Sequence, residues 1–211
     1  PGPGVGGSGT GRASCPRRTG SSAPAPRSRP GTRWAPPPTA ATYAGNVATL
    51  TFTNIDGTGL DATLVVTLTS ASAGLATLTQ VLTVTNTNPT GAVAFNAFGY
   101  ADIEMDGTAS GDIGTAGAAA TELVVTESSV ARFTGMGASG FQVGAFSSIR
   151  ALFSDGMVTN LDNSGAMFGP GDWTGAFQWA PRRIAAGGNT SITMTISLTG
   201  LAPMDGGVPM D

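Results

Sequence analysis

Apolar and polar residues alternate along the chain from about Tyr43 onward, and alternation with period two is the signature of a β-strand with one buried face. In "NVATLTFTN", Leu50 and Phe52 fall on one side and Thr49, Thr51 and Thr53 on the other. In "DATLVVTLTS", Ala62, Leu64, Val66 and Leu68 are expected inward, with Thr63, Thr67 and Thr69 outward. "LTQVLTVTNTN" sets Leu78, Leu82 and Val84 against Thr79, Thr83 and Thr85. "SITMTISLTG" does the same with Ile192, Met194, Ile196 and Leu198. Further strands are expected at 91–98, 100–106, 121–127, 130–134, 157–161 and 173–179. Between them lie turn signals such as "NIDGTG", "NTNPTG", "DGTASGDIGTAG", "MGASG", "FGPGD" and "AAGGN".

One segment changes period. "GAFSSIRALFSDG" spaces Phe146, Ile149, Leu152 and Phe153 by threes and fours, which predicts a short helix near 145–154 with Gly156 as its cap. Strands with one wet face pair antiparallel. The pattern therefore predicts an all-β, antiparallel two-sheet β-sandwich of jelly-roll or Greek-key type, with one short helix.

Residues 1–40 are different: Pro, Gly, Ser and Arg with almost no apolar side chains. Such a segment cannot bury enough surface to offset its chain entropy, so a disordered, low-complexity head is expected. The domain is expected over 41–203, with a flexible tail at 204–211.

Charge sharpens the picture. Charged residues are 11% of the chain, far below the roughly 25% of ordinary soluble proteins. Six Arg lie in the first 33 residues; beyond them four Arg stand against thirteen acids, a net of −9. An acidic body without lysine is a poor match for nucleic acid. No run of residues is long and apolar enough for a membrane span. Cys15 is the one cysteine, so no intrachain disulfide can form.

The chain has no His and no Lys. That removes Ser–His–Asp and Cys–His nucleophiles, imidazole metal ligands, Schiff bases and Walker-type phosphate loops. Carboxylate chemistry remains. "YADIEMDGTASGD" puts Asp102, Glu104 and Asp106 on one face of a strand and Ile103 and Met105 on the other. Its "DIEMDG" resembles the start of a calcium loop, with Asp112 close behind, although Ile113 stands where an EF-hand needs its bidentate Glu. Two readings follow: a solvated edge strand, or a calcium site built from Asp102, Glu104, Asp106 and Asp112. A carboxylate-based glycan hydrolase would draw its acids from Asp102, Glu104, Asp106, Asp172 and Glu122.

Two further patterns bear on binding. In "GPGDWTGAFQW", Trp173, Phe177 and Trp179 share a strand face. Exposed, Trp173 and Trp179 would form a sugar-stacking platform and make the domain a carbohydrate-binding module; buried, they are core. The opposite face, Thr174, Ala176 and Gln178, is expected to meet solvent. Thr-x-Thr recurs on several strands, a surface type that ice-binding proteins use and that is also the ordinary wet face of an extracellular sheet. With no fixed repeat length, the threonine array is expected to be irregular.

The segments "FNAFGYADIEMDGTASGD", "FQVGAFSSIRALFSDGMVTNLDNSGAMFGPGDWTGAFQW" and "SITMTISLTG" resemble exported bacterial all-β proteins of the PEP-CTERM-sorted type, over roughly residues 42–200. The closing "APMDGGVPMD" holds no Pro-Glu-Pro motif. The resemblance implies a secreted β domain, extracellular or at the cell surface. It points to a non-enzymatic structural or adhesive component of the envelope or extracellular matrix. Polysaccharide or other envelope components would be its partners.

Overall fold

The computed structural model describes residues 37–72, 74–105, 107, 110–117, 119–154 and 159–200. Most of the head, the closing tail, Asp106 and Gly156 lie outside the described residues. Within them the chain forms twelve strands and one α-helix. The first five strands are β1 (Ala40–Ala44), β2 (Val47–Phe52), β3 (Leu60–Ser72), β4 (Leu75–Asn86) and β5 (Val93–Asp102). Then come β6 (Asp112–Ala116), β7 (Glu122–Thr126), β8 (Val130–Gly135) and β9 (Gly140–Ala145). After α1 (Phe146–Ser154) the chain closes with β10 (Met167–Gly171), β11 (Trp173–Ile184) and β12 (Asn189–Thr199).

These strands make two antiparallel sheets, as the alternation predicts. The larger has nine strands in the order β1-β2-β3-β4-β12-β8-β7-β6-β10; the smaller has three, β5-β11-β9. Two runs of sequential hairpins, β1 to β4 and β6 to β8, are joined in the large sheet by β12, which pairs with β4 on one side and β8 on the other.

The core lies between the sheets. Phe133, Leu123 and Val125 of the large sheet meet Trp173, Phe177 and Trp179 of β11. The aromatic rings pack at an angle, with the Phe133 and Phe177 centroids 4.8 Å apart. Glycines make room for them. A Cβ on Gly135 would stand 2.7 Å from the Phe177 ring, and one on Gly114 would stand 2.3 Å from the Trp173 indole nitrogen. A second cluster joins Phe52, Leu60, Ala62 and Val84 to Ile184.

A third layer covers the outer face of the small sheet. The α1 side chains Ile149 and Phe153 pack on Ala176, with Phe98 and Tyr100 beside them. This corrects the expectation that Thr174, Ala176 and Gln178 face solvent: all three are buried. Gln178 can be buried because its amide is matched, accepting from Leu161 N at 2.8 Å and donating to Asn160 Oδ1 at 3.1 Å.

Other boundaries move for identifiable reasons. The strands expected at 91–98 and 100–106 are one strand, β5, which runs through Gly99 and stops at Asp102. The strand expected at 173–179 continues to Ile184 across an irregularity between Trp179 and Arg182. Residues 159–161 lie outside both sheets. Leu68, expected inward, is 50% exposed, because the three-stranded sheet is too narrow to cover the whole inner face of the nine-stranded one.

Candidate functional site

Trp173 and Trp179 are each 1% exposed. Neither presents a ring face to solvent, so the sugar platform that their spacing allows is not formed; both side chains belong to the core. Trp179 satisfies its indole by donating from Nε1 to Met136 O at 2.8 Å. Trp173 Nε1 is buried and meets no protein acceptor. Its ring lies between Gly114 and Gly175.

The acidic stretch takes the orientation that periodicity demands. Asp102 and Glu104 are exposed, Ile103 packs against the core and Met105 is buried. Together with Ser129, Ile196 and Leu198 the four line an open cavity of about 280 Å³. Asp102 Oδ1 also accepts a hydrogen bond from Thr174 Oγ1 at 2.7 Å.

Asp112 stands apart from these two. It is 0% exposed, on the inward side of β6, and its Oδ1 accepts from Met105 N at 3.3 Å. Oδ2 has no protein partner. Burial raises its pKa, the charges of Glu127 and Asp172 add to the rise, and the backbone hydrogen bond from Met105 and the nearby Trp173 backbone amide oppose it. Tyr100 is raised by burial and by the nearby charge of Asp102.

Asp102 and Glu104 thus share a wall of one cavity while Asp112 lies in the core, and Asp106 is outside the described residues. Among the described residues no three acids come close enough to share a metal ion. Of the acids considered for glycan hydrolysis, Asp102 and Glu104 line the cavity and Asp172 is near enough to raise the pKa of Tyr100 beside Asp102. Glu122 is on the outer face of the large sheet, bound to Arg132 at 3.0 Å. Glycosidic cleavage needs carboxyl groups on both sides of the bond. The remaining residues that line the cavity are Ile103, Met105, Ser129, Ile196 and Leu198, none of which carries a carboxyl group.

Strand register gathers some of the threonines into cross-strand rows. Strand pairing aligns Thr51, Thr63, Thr83 and Ser191 across four strands. It likewise aligns Thr67, Thr79, Thr195 and Thr134. Some hydroxyls bind one another along these rows, as Thr83 Oγ1 and Ser191 Oγ do at 2.9 Å. Between these two rows the same register aligns Thr49, Val65, Val81 and Thr193, so the hydroxyl array is interrupted at its centre by two valines.

Charge is segregated with the same strands. β1, β2, β3, β4 and β12 carry one charged residue among them, Asp61. The signal is visible in the sequence as a run without any charge from residue 62 to 101. Of that run β3 and β4 lie in the large sheet and β5 in the small one; β12 joins the uncharged side of the large sheet by pairing with β4.

No protein-family model matches the chain, and no curated protein matches it. No helix among the described residues is long and apolar enough to cross a membrane.

Proposed function

We propose that this protein is an exported, non-enzymatic β-sandwich of the cell envelope or extracellular matrix, working through surface contact. The observation that carries this reading is the outer face of the large sheet: rows of threonine and serine aligned across up to four strands, within five neighbouring strands that carry Asp61 as their one charge. A broad, neutral, hydroxyl-rich face suits contact with hydrated polymers and other matrix components. Trp173, Phe177 and Trp179 are committed to the core, so the aromatic row of β11 does not compete with this role.

The test is fractionation of the source cells with an antibody against the described domain. The protein is expected in the envelope fraction or the medium. Recovery from the cytosol alone overturns the reading.

A further inference from the structure

The charges of the chain fall into two parts. The first 33 residues hold six Arg and no acid, and the chain from residue 34 onward has a net of −9. In the fold the acids are unevenly placed. β1, β2, β3, β4 and β12 carry Asp61 alone. Asp102, Glu104, Glu127 and Asp172 gather at one end of the sandwich. Asp172 acts on both Tyr100 and Asp112, Glu127 acts on Asp112, and Asp102 and Glu104 share a cavity with Ser129, two residues beyond Glu127.

That cavity has two kinds of lining. Ile103, Met105, Ile196 and Leu198 are apolar, and Asp102 and Glu104 are exposed carboxylates. Thr174 holds one oxygen of Asp102, and neither acid is paired with an arginine among the described residues. An apolar surface rimmed by carboxylates fits an arginine side chain. Its methylenes lie along the apolar residues while its guanidinium bonds the carboxylates.

We infer that the arginine-rich head of this chain docks on this cavity through Arg17 and Arg18. Charge and reach select the occupant. Strand register aligns Ala40 with Thr51, Thr63, Thr83 and Ser191, so Ile196 and Leu198 lie four strands across from Ala40 and five to seven residues along. At about 4.8 Å per strand and about 3.4 Å per residue the cavity is about 30 Å from Ala40. A chain spans at most about 3.5 Å per residue. Arg33, seven residues before Ala40, therefore falls short, and Arg29 reaches only when the chain is pulled straight. Arg17 and Arg18, more than twenty residues away, reach with slack. They are also the one adjacent arginine pair in the head, set against two carboxylates.

The contact is small and is sustained by the tether. A segment on the same chain meets its site at an effective concentration on the order of millimolar, so in dilute solution the chain's own head outcompetes that of a second copy. Because the carboxylates are exposed, salt screens the attraction. The inference goes beyond the envelope reading and does not depend on it.

Cys15, the one cysteine, lies two residues before Arg17 and permits a test on the full chain. A nitroxide is attached to its thiol, and paramagnetic broadening of the backbone amide signals is measured by NMR in dilute, low-salt buffer. Broadening is expected to concentrate on Ile103, Glu104, Ser129 and Leu198. It should vanish at about 1 M salt, where the screening length is about 3 Å. It should also be lost in the double variant Asp102→Asn, Glu104→Gln and in the double variant Arg17→Gln, Arg18→Gln. Asp102 and Glu104 are exposed, so the first of these should melt near the wild type. A head with no preference would instead broaden most the nearer β1 side, at Val47, Leu68 and Leu78. That result, uniform broadening, or broadening at the cavity that survives either double variant overturns the inference. So does equal broadening of an unlabelled chain mixed with the nitroxide-bearing one, which assigns the contact to a second copy.

Discussion

Two tryptophans of β11 share a strand face and a core, and differ in one respect: the indole of Trp179 has an acceptor and that of Trp173 has none. Replacing each by Phe separates the cost of volume from that of the polar atom. Trp→Phe removes about three ring atoms, which at about 0.8 kcal/mol per buried carbon, with the cavity left behind, costs about 2 kcal/mol at either site. At Trp179 the change also loses a hydrogen bond worth about 1 kcal/mol net, for a total of about 3 kcal/mol. At Trp173 it removes a buried unpaired donor, whose presence costs about 1–3 kcal/mol. Trp173→Phe is therefore expected to be nearly neutral, between about 1 kcal/mol destabilising and about 1 kcal/mol stabilising. The assay is equilibrium urea unfolding followed by circular dichroism, accepted only if both variants keep the wild-type slope. If Trp173→Phe costs as much as Trp179→Phe or more, the indole of Trp173 is satisfied in solution and the reasoning fails.

Asp112 gives a pH signature. Its folded pKa is raised, so below the ordinary carboxylate range both folded and unfolded states hold the proton and the residue costs nothing. As pH rises above its ordinary value the unfolded chain releases the proton first, and stability falls until the raised folded pKa is passed. Thermal melts of Asp112→Asn across this window should lose that part of the fall, and a profile parallel to the wild type would refute the assignment. Calcium in excess is expected to leave the melting temperature unchanged, since Asp102 and Glu104 share a wall with no third described acid. A rise that Asp102→Asn abolishes would establish a cation site there instead.

How much of this was legible in the sequence depended on what each strand faces. β3, β4 and β12 are long and have one wet face, so alternation marked them clearly. β6, β9 and β10 were hidden because they contain glycines that read as turn signals. In the structure Gly114 accommodates the Trp173 indole, and Gly144 lies against Ile149. Those glycines mark close approach of side chains, which no local rule distinguishes from a turn. Thr174 and Gln178 misled for a related reason: a polar strand face predicts solvent unless partners cover it, and Asp102 supplies one to Thr174 while residues 160–161 supply those of Gln178. The orientation of Asp102 to Met105 was readable from periodicity alone. The withdrawal of Asp112 into the core was not, because it depends on β6, a strand the glycines concealed.

The position of β12 has a consequence for how the molecule comes into being. It is the last described strand along the chain, yet it occupies the middle of the large sheet and joins its two halves. Thr77 and Ser197 touch across 120 positions of sequence. During synthesis the hairpins β1–β4 and β6–β8 emerge early, but neither has its central neighbour until residue 199 is available. Contacts of such separation fold slowly. The chain therefore spends its passage from the ribosome, and through any channel that follows, as a thread carrying two unfinished half-sheets with open inner edges. Whatever attends it on that journey must shield β4 and β8 until their shared strand arrives.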